Sequence, residues 1–186
     1  SIARQPPYQL DWPRDGAFFN VALDISGQTA LVDRRVELYA RWQRDREVYP
    51  TRLLDPDPPR DPTTGKSSTY PADAWEMNYY SDGVPGGIFR FEIDNTAFAV
   101  WSIVAHAGWV EQPAAYLRRR WETIRRGAAL LARWRDPVTG LHAPAQEDDQ
   151  AKPSQTLHGA IAVFGALDIA ARAARLLNED QQAASW

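Results

Sequence analysis

The chain has 186 residues and no cysteine, and only one of them is methionine. Without cysteine there is no disulfide framework and no thiolate chemistry, and the compartment stays open. Histidine is scarce. His106, His142 and His158 show no HExxH-type spacing, so no zinc site is expected. No GxSxG, phosphate-binding P-loop or GxGxxG stretch occurs, and the remaining chemistry narrows to carboxylates. Nor is there a surplus of basic residues: 21 Lys and Arg stand against 24 Asp and Glu, a formal charge of −3. That balance argues against a nucleic-acid partner and against attraction to an anionic membrane. By eye no run approaches the roughly 18 apolar residues that span a bilayer. The opening SIARQPPYQL lacks the basic-then-apolar pattern of a leader, which leans toward a cytoplasmic protein.

What is present is ordinary in bulk, with 44% hydrophobic and 24% charged residues, enough for one domain with a proper core. Eight tryptophans and seven tyrosines stand out. Flat aromatics fill cores, and they also stack on sugar rings. The apolar periodicity predicts five helices of two kinds. Those at 15–26, 93–109 and about 154–177 are apolar nearly all round, whereas those at 29–47 and 113–134 are amphipathic with arginine-rich outer faces. The order buried, exposed, buried, exposed, buried predicts an all-α chain built as part of an α/α toroid, with inner helices sheathed by outer ones. A compact bundle would more often make every helix amphipathic.

Inner-to-outer connections are short (26–28 and 110–113), and outer-to-inner ones are long (about 48–91 and 135–153). Alternate loops of antiparallel helices lie at one end, so both long loops should join LDWPRD beside the N-termini of the buried helices. Pro13 and Asp15 suit a helix start, with Asp15 as a cap. Capping leaves Arg14 unexplained, because a cation beside a helix N-terminus is misplaced. An adjacent cation and carboxylate offer the fixed donors and acceptors that bind sugar hydroxyls. Trp75, Tyr79 and Tyr80 in the first long loop serve either as packing or as stacking platforms. DPDPPRDPTTGKSST reads as exposed loop. In the second loop Glu147, Asp148 and Asp149 precede the fifth helix, for which Ser154 is the expected cap. The alternating ligand spacing of a calcium loop is absent there, and a carboxyl at the mouth of an apolar pocket could instead stay protonated and act as an acid.

WPRDGAFFNVAL, FRFEIDNTAFAVWSIVAHAG, QEDD and SQTLHGAIAVFGALDIAARAARLL, in that order, resemble the glucoamylase-like glycoside hydrolases (family fifteen, six-hairpin glycosidases). The resemblance implies an (α/α)6 toroid and cleavage of α-glucosidic bonds from the non-reducing end of an α-glucan or oligosaccharide, with inversion. It implies that Arg14 and Asp15 hold the terminal sugar, Trp12 with Trp75 or Tyr79 shapes the pocket, Glu147 is the general acid and Asp148 the second acidic residue. It calls for no metal or organic cofactor. The family's D-G-x-A-L-like segment falls on Asp94-Asn95-Thr96-Ala97-Phe98. Two positions depart from the family: Gln146 stands where it has a tryptophan beside the acid, and Pro144 where it has an aspartate. About five of twelve helices are supplied. Residues 1–186 are therefore expected to form a single partial catalytic domain, with the general base and the remainder of the barrel elsewhere. The alternative is a carbohydrate-binding or regulatory α/α module without catalysis.

Overall fold

The computed structural model describes residues 10–50, 57–87 and 89–186. Most of the stretch read for a leader, and the first two residues of the polar loop from Asp55, lie outside the described residues. The described chain is mostly helical. Its α-helices are α1 (Pro13–Ile25), α2 (Thr29–Trp42), α3 (Ile93–Ala105), α4 (Pro113–Arg133), α5 (Leu157–Leu176) and the short α6 (Asp180–Ser185). A 3-10 turn, His106–Trp109, continues α3. The expectation of an all-α chain needs one correction: β1 (Ala145–Glu147) and β2 (Gln150–Ser154) pair as an antiparallel hairpin.

Helix boundaries follow local chemistry. Proline occupies the start of α1 and α4, where its missing N–H is no loss. Residue 42 ends α2 earlier than the periodicity suggests. There the Gln43 side chain donates to the carbonyls of Asp73 and Thr123, and the Arg44 amide donates to Ala74 O, so tertiary bonds replace helical ones. Ser154 is not the cap of α5, because it is paired in β2; Thr156 is, its hydroxyl accepting the Gly159 N–H. The other end of α5 closes through Asn178 at φ 62°, with the Glu179 amide donating to Ala174 O.

Helix α3 packs between α1 and α5 and also against α4. Ile93, Ala97, Val100, Ile103 and Val104 are buried, each larger one contributing about 1.5–3 kcal/mol by leaving water. Close approach of α4 depends on Gly127, where a Cβ would lie 2.5 Å from Val100 Cγ2. The central inner helix is thus as apolar and enclosed as its sequence predicts. Its neighbours are not covered on every side. Phe18, Phe19 and Ile25 of α1, and Leu157, Ile161 and Phe164 of α5, are exposed. Among the described residues Phe18 meets Phe98 at 5.4 Å between ring centroids and Phe19 lies under the Arg35 guanidinium, yet both stay mostly open to solvent.

Helix α5 also corrects the reading of hydrophobic runs. At 20 residues and a mean hydropathy of 1.3 it is long and apolar enough to cross a membrane. Ala162, Val163, Ala166, Ala170 and Ala174 are buried, while Asp168, Arg172 and Arg175 line the exposed side. One face of the helix is packed, and the other carries these charges together with the exposed Leu157, Ile161 and Phe164.

Both long connections do return to the N-terminal end of α1, α3 and α5. Asp11 pairs with Tyr79 through two backbone hydrogen bonds, and Glu92 forms a parallel bridge with Gln146 of the hairpin.

Candidate functional site

Three inner helices point their N-termini at one rim, and each brings acidic groups: Asp15 on α1, Glu92 and Asp94 at the start of α3, and Glu147 to Asp149 before α5. Helix N-termini carry partial positive charge, so this end of the fold favours carboxylates. Arg14 is the cation among them. Its Nη1 donates to Asp94 Oδ2 at 2.7 Å, with Glu92 Oε2 at 3.8 Å and, from Nη2, Asp149 Oδ1 at 3.4 Å. Its backbone N–H donates to Asn95 Oδ1. Burial alone would lower the Arg14 pKa, but Asp94, followed by Glu92 and Asp149, outweighs it and holds the guanidinium charged. The cation misplaced by its own helix is placed by another.

Asp94 is the hub. Its Oδ2 also accepts from His158 Nε2 at 2.9 Å and the Asp148 amide at 3.2 Å, and its Oδ1 accepts from the Asn95 amide. Glu92, equally inaccessible to solvent, accepts the Asp149 amide on Oε1 at 2.8 Å and the Asn95 side-chain amide on Oε2. Burial, reinforced by the neighbouring Asp94 charge and only partly offset by Arg14, pushes the Glu92 carboxyl up to about 8. Asp148 and Asp149 form the tight turn of the hairpin with φ of 50° and 60°. Two successive left-handed residues suit Asn-Gly far better than two aspartates. The turn is held there because both of its amides are seated on carboxylates of α3.

Glu147 lies on the same rim as Arg14, one residue before the turn, but its side chain is directed inward. Oε1 accepts from the Thr156 amide at 3.1 Å and Ser154 Oγ at 3.3 Å, and Oε2 accepts from Thr156 Oγ1 at 2.7 Å. His142 Nε2 is 4.0 Å from Oε1. A Cβ on Gly159 would lie 2.3 Å from Oε2, so glycine makes the room for this carboxylate at the start of α5. Asp148, by contrast, is exposed.

Asp15 does not cap α1. Trp12 occupies the cap position without a side-chain bond, and Asp15 is exposed in the first turn. Trp12 and Asp15 line a cavity of about 530 Å³ with Asp11, Phe19, Arg35 and Trp42. Arg14 points away from that cavity toward α3, so the WPRD stretch is divided between two adjoining surfaces. Trp75 is wholly buried, donating from Nε1 to Tyr39 O, and Tyr79 is nearly so, stacked on Trp42 at 4.7 Å. Both pack the loop; Tyr79 touches the cavity only as wall. No three or more of the described His, Asp and Glu side chains are placed so that they could hold a metal ion.

Glu92 and His158 were not singled out from sequence. The one available signal is spacing: Glu92 and Asp94 sit two apart at a helix start, and His158 sits on the first turn of the next inner helix.

The fold and rim together define a helical scaffold carrying a carboxylate cluster around one arginine. Over 127 residues, 68% of its length, the chain is 24% identical to an uncharacterized glycosyl hydrolase of Methanocaldococcus jannaschii, and the match spans 16% of that relative. No family model matches the chain. No solved structure matches it significantly.

Proposed function

We propose that the chain is part of a glycoside hydrolase of the glucoamylase-like kind, acting on α-glucosidic bonds at the non-reducing end of an α-glucan or oligosaccharide with inversion. The observation that carries this reading is the convergence of Arg14, Asp94, Asp148, Asp149 and His158 on one rim, next to the cavity lined by Trp12 and Asp15. A rim of fixed carboxylates with a charged guanidinium presents the acceptors and donors that vicinal hydroxyls require. The partial similarity to a glycosyl hydrolase supports it.

In this reading Asp15 and Arg14 fix the terminal sugar and Trp12 walls its pocket. Glu147 is the proton donor for the leaving oxygen, and to act it exchanges its contacts with Ser154 and Thr156 for the glycosidic oxygen. Asp148 takes the place of the second acidic residue. A carboxylate outside this chain activates water, about 6.5–9.5 Å from the acid as inversion demands. The exposed apolar faces of α1 and α5 fit a partial toroidal domain whose further helices cover them.

The test is glucose release from maltooligosaccharides by the complete protein, with Glu147→Gln and Asp148→Asn as folded variants. Glu147→Gln is expected to abolish turnover and keep saccharide binding. Turnover lost only in Asp148→Asn would pass the donor role to Asp148. Turnover kept in both would end the hydrolase reading. The engagement of both Glu147 oxygens favours a second reading, a saccharide-binding module without catalysis, for which binding without any glucose release is the expected result.

A further inference from the structure

Beneath the rim lies a carboxyl that no substrate can touch. Glu92 has no solvent-accessible surface, yet it joins three elements. Its backbone bridges to Gln146 of β1. Its Oε1 takes the Asp149 amide, its Oε2 takes the Asn95 side chain, and Arg14 of α1 stands 3.8 Å away. Asp94, two residues on, takes the Asp148 amide. The two residues of the left-handed turn are therefore each pinned by a carboxyl from the start of α3.

We propose that Glu92 is a positioning residue of this site: seated under the Asp148–Asp149 turn, it fixes that turn against Arg14 and Asp94 and so sets the geometry in which a saccharide is met. The inference rests on the reading of the rim as a saccharide site.

The charges facing Glu92 decide how it does this. Asp94 on α3 and Asp148 and Asp149 on the turn are acidic. Arg14 from α1 is the cation, and it is shared with Asp94 and Asp149. His158 from α5 is spent on Asp94. A second full negative charge buried beside Asp94 lacks a cation of its own, and Glu92 holds its proton up to about pH 8. Protonated, it accepts the Asp149 amide without repelling the carboxylates around it. Ionised, it repels the Asp94 and Asp149 carboxylates; the Asp149 amide favours the charged form, but burial and that repulsion outweigh it, and the packed rim is destabilised.

The sign of the pH effect follows. The ordinary carboxyl value is 4.5 and the folded value about 8, so the folded chain keeps a proton that the unfolded chain releases. This contribution to stability is complete below the unfolded pKa and is lost as pH rises through about 8.

Three readouts on the complete protein test the proposal, in wild type and in Glu92→Gln, which keeps the shape but cannot ionise. In the first, Tm is followed from about pH 5 to 9. The glutamine variant loses the acceptor for Asn95 at every pH, so the change of the Tm difference with pH is what counts. Wild type should fall relative to the variant from about pH 5 upward, and the difference should level off above about 8.

In the second, hydrogen exchange of residues 145–154 is corrected for intrinsic rates. Protection in wild type should drop by up to roughly tenfold for each pH unit between about pH 5 and 8 and level off above that, while the variant stays flat. In the third, maltotriose affinity should weaken by a similar factor over the same range in wild type alone.

Parallel Tm curves with flat exchange would overturn the proposal. So would maltotriose binding that changes identically with pH in both proteins. If maltotriose binds neither protein at any pH while the first two readouts respond, the saccharide reading fails and the seating of the turn by Glu92 stands.

Discussion

The two ends of the inner helices carry polar networks of similar parts and opposite character. At the C-terminal end, His106 is buried with Nδ1 at 2.9 Å from both oxygens of Asp24 and Nε2 at 3.2 Å from Asp33, its ring edge-on to Tyr116. The Tyr116 hydroxyl donates to Ile103 O. One histidine meets two aspartates from α1 and α2, of which Asp24 is buried and Asp33 is half exposed, and four elements are clasped around its ring. At the N-terminal end one arginine and one histidine answer Glu92, Asp94, Asp148 and Asp149, and two of these carboxylates reach solvent. A small network closed around one buried ring holds a fold together. One left with surplus acceptors and an open side costs stability, and such costs collect where ligands are met.

Removing the cation from the unbalanced end should have the largest effect. Arg14→Ala leaves the buried Asp94 with His158 and two amides but without its guanidinium, and is expected to cost up to about 3–5 kcal/mol in urea unfolding, because the carboxylate keeps its desolvation penalty and loses its permanent cation. Double replacement with Asp94→Asn should recover much of that loss. A single-variant loss under about 1 kcal/mol would mean that Asp94 is hydrated and the rim is no more strained than a surface.

Breaking the C-terminal network should cost less. His106→Gln removes hydrogen bonds to charged groups and is expected to lose roughly 1.5–3 kcal/mol. It should leave the alkaline response of Glu92 unchanged, since the two networks share no residue. A shift of that response in His106→Gln would show the ends to be coupled through α3, and the contrast between them would fail.

The helices were legible from sequence because their signal is local. A period of 3.6 residues marks α1 to α5, and the lengths of the connections place both long loops at one end. The rim itself was half legible. WPRD drew attention to Arg14 and Asp15, but the partners of Arg14 lie about 80 residues away and no local rule finds them. Asp15 was read as a cap because aspartate caps helices, yet the chain enters α1 one turn earlier, through Trp12 and Pro13. The hairpin was missed because its strands are short, hold Pro153 and show no alternation. That omission also hid the direction of Glu147. Successive side chains of a strand face opposite ways, so knowing that QEDD reaches the rim does not tell which carboxyl faces out.

The smallest expected effect supplies the baseline for both ends. Glu37 of α2 and Arg120 of α4 form an ion pair at 2.5 Å, in a surface cavity that Asp33 also lines. The hydrogen bond from Arg120 and its charge hold the Glu37 carboxyl below its ordinary range. A lowered folded value means that this stabilisation is present above the unfolded pKa and is lost as pH falls through the folded one. Because the Glu37 side chain is 41% exposed, water and salt screen the pair. Glu37→Gln should therefore cost less than about 1 kcal/mol near neutral pH, and its Tm difference from wild type should vanish in roughly 1 M salt. Were this variant to cost as much as His106→Gln, and to do so at high salt, burial would not be what separates the clasp from an ordinary surface pair. The ranking of the two helix ends by how completely their charges are answered would then lose its physical basis.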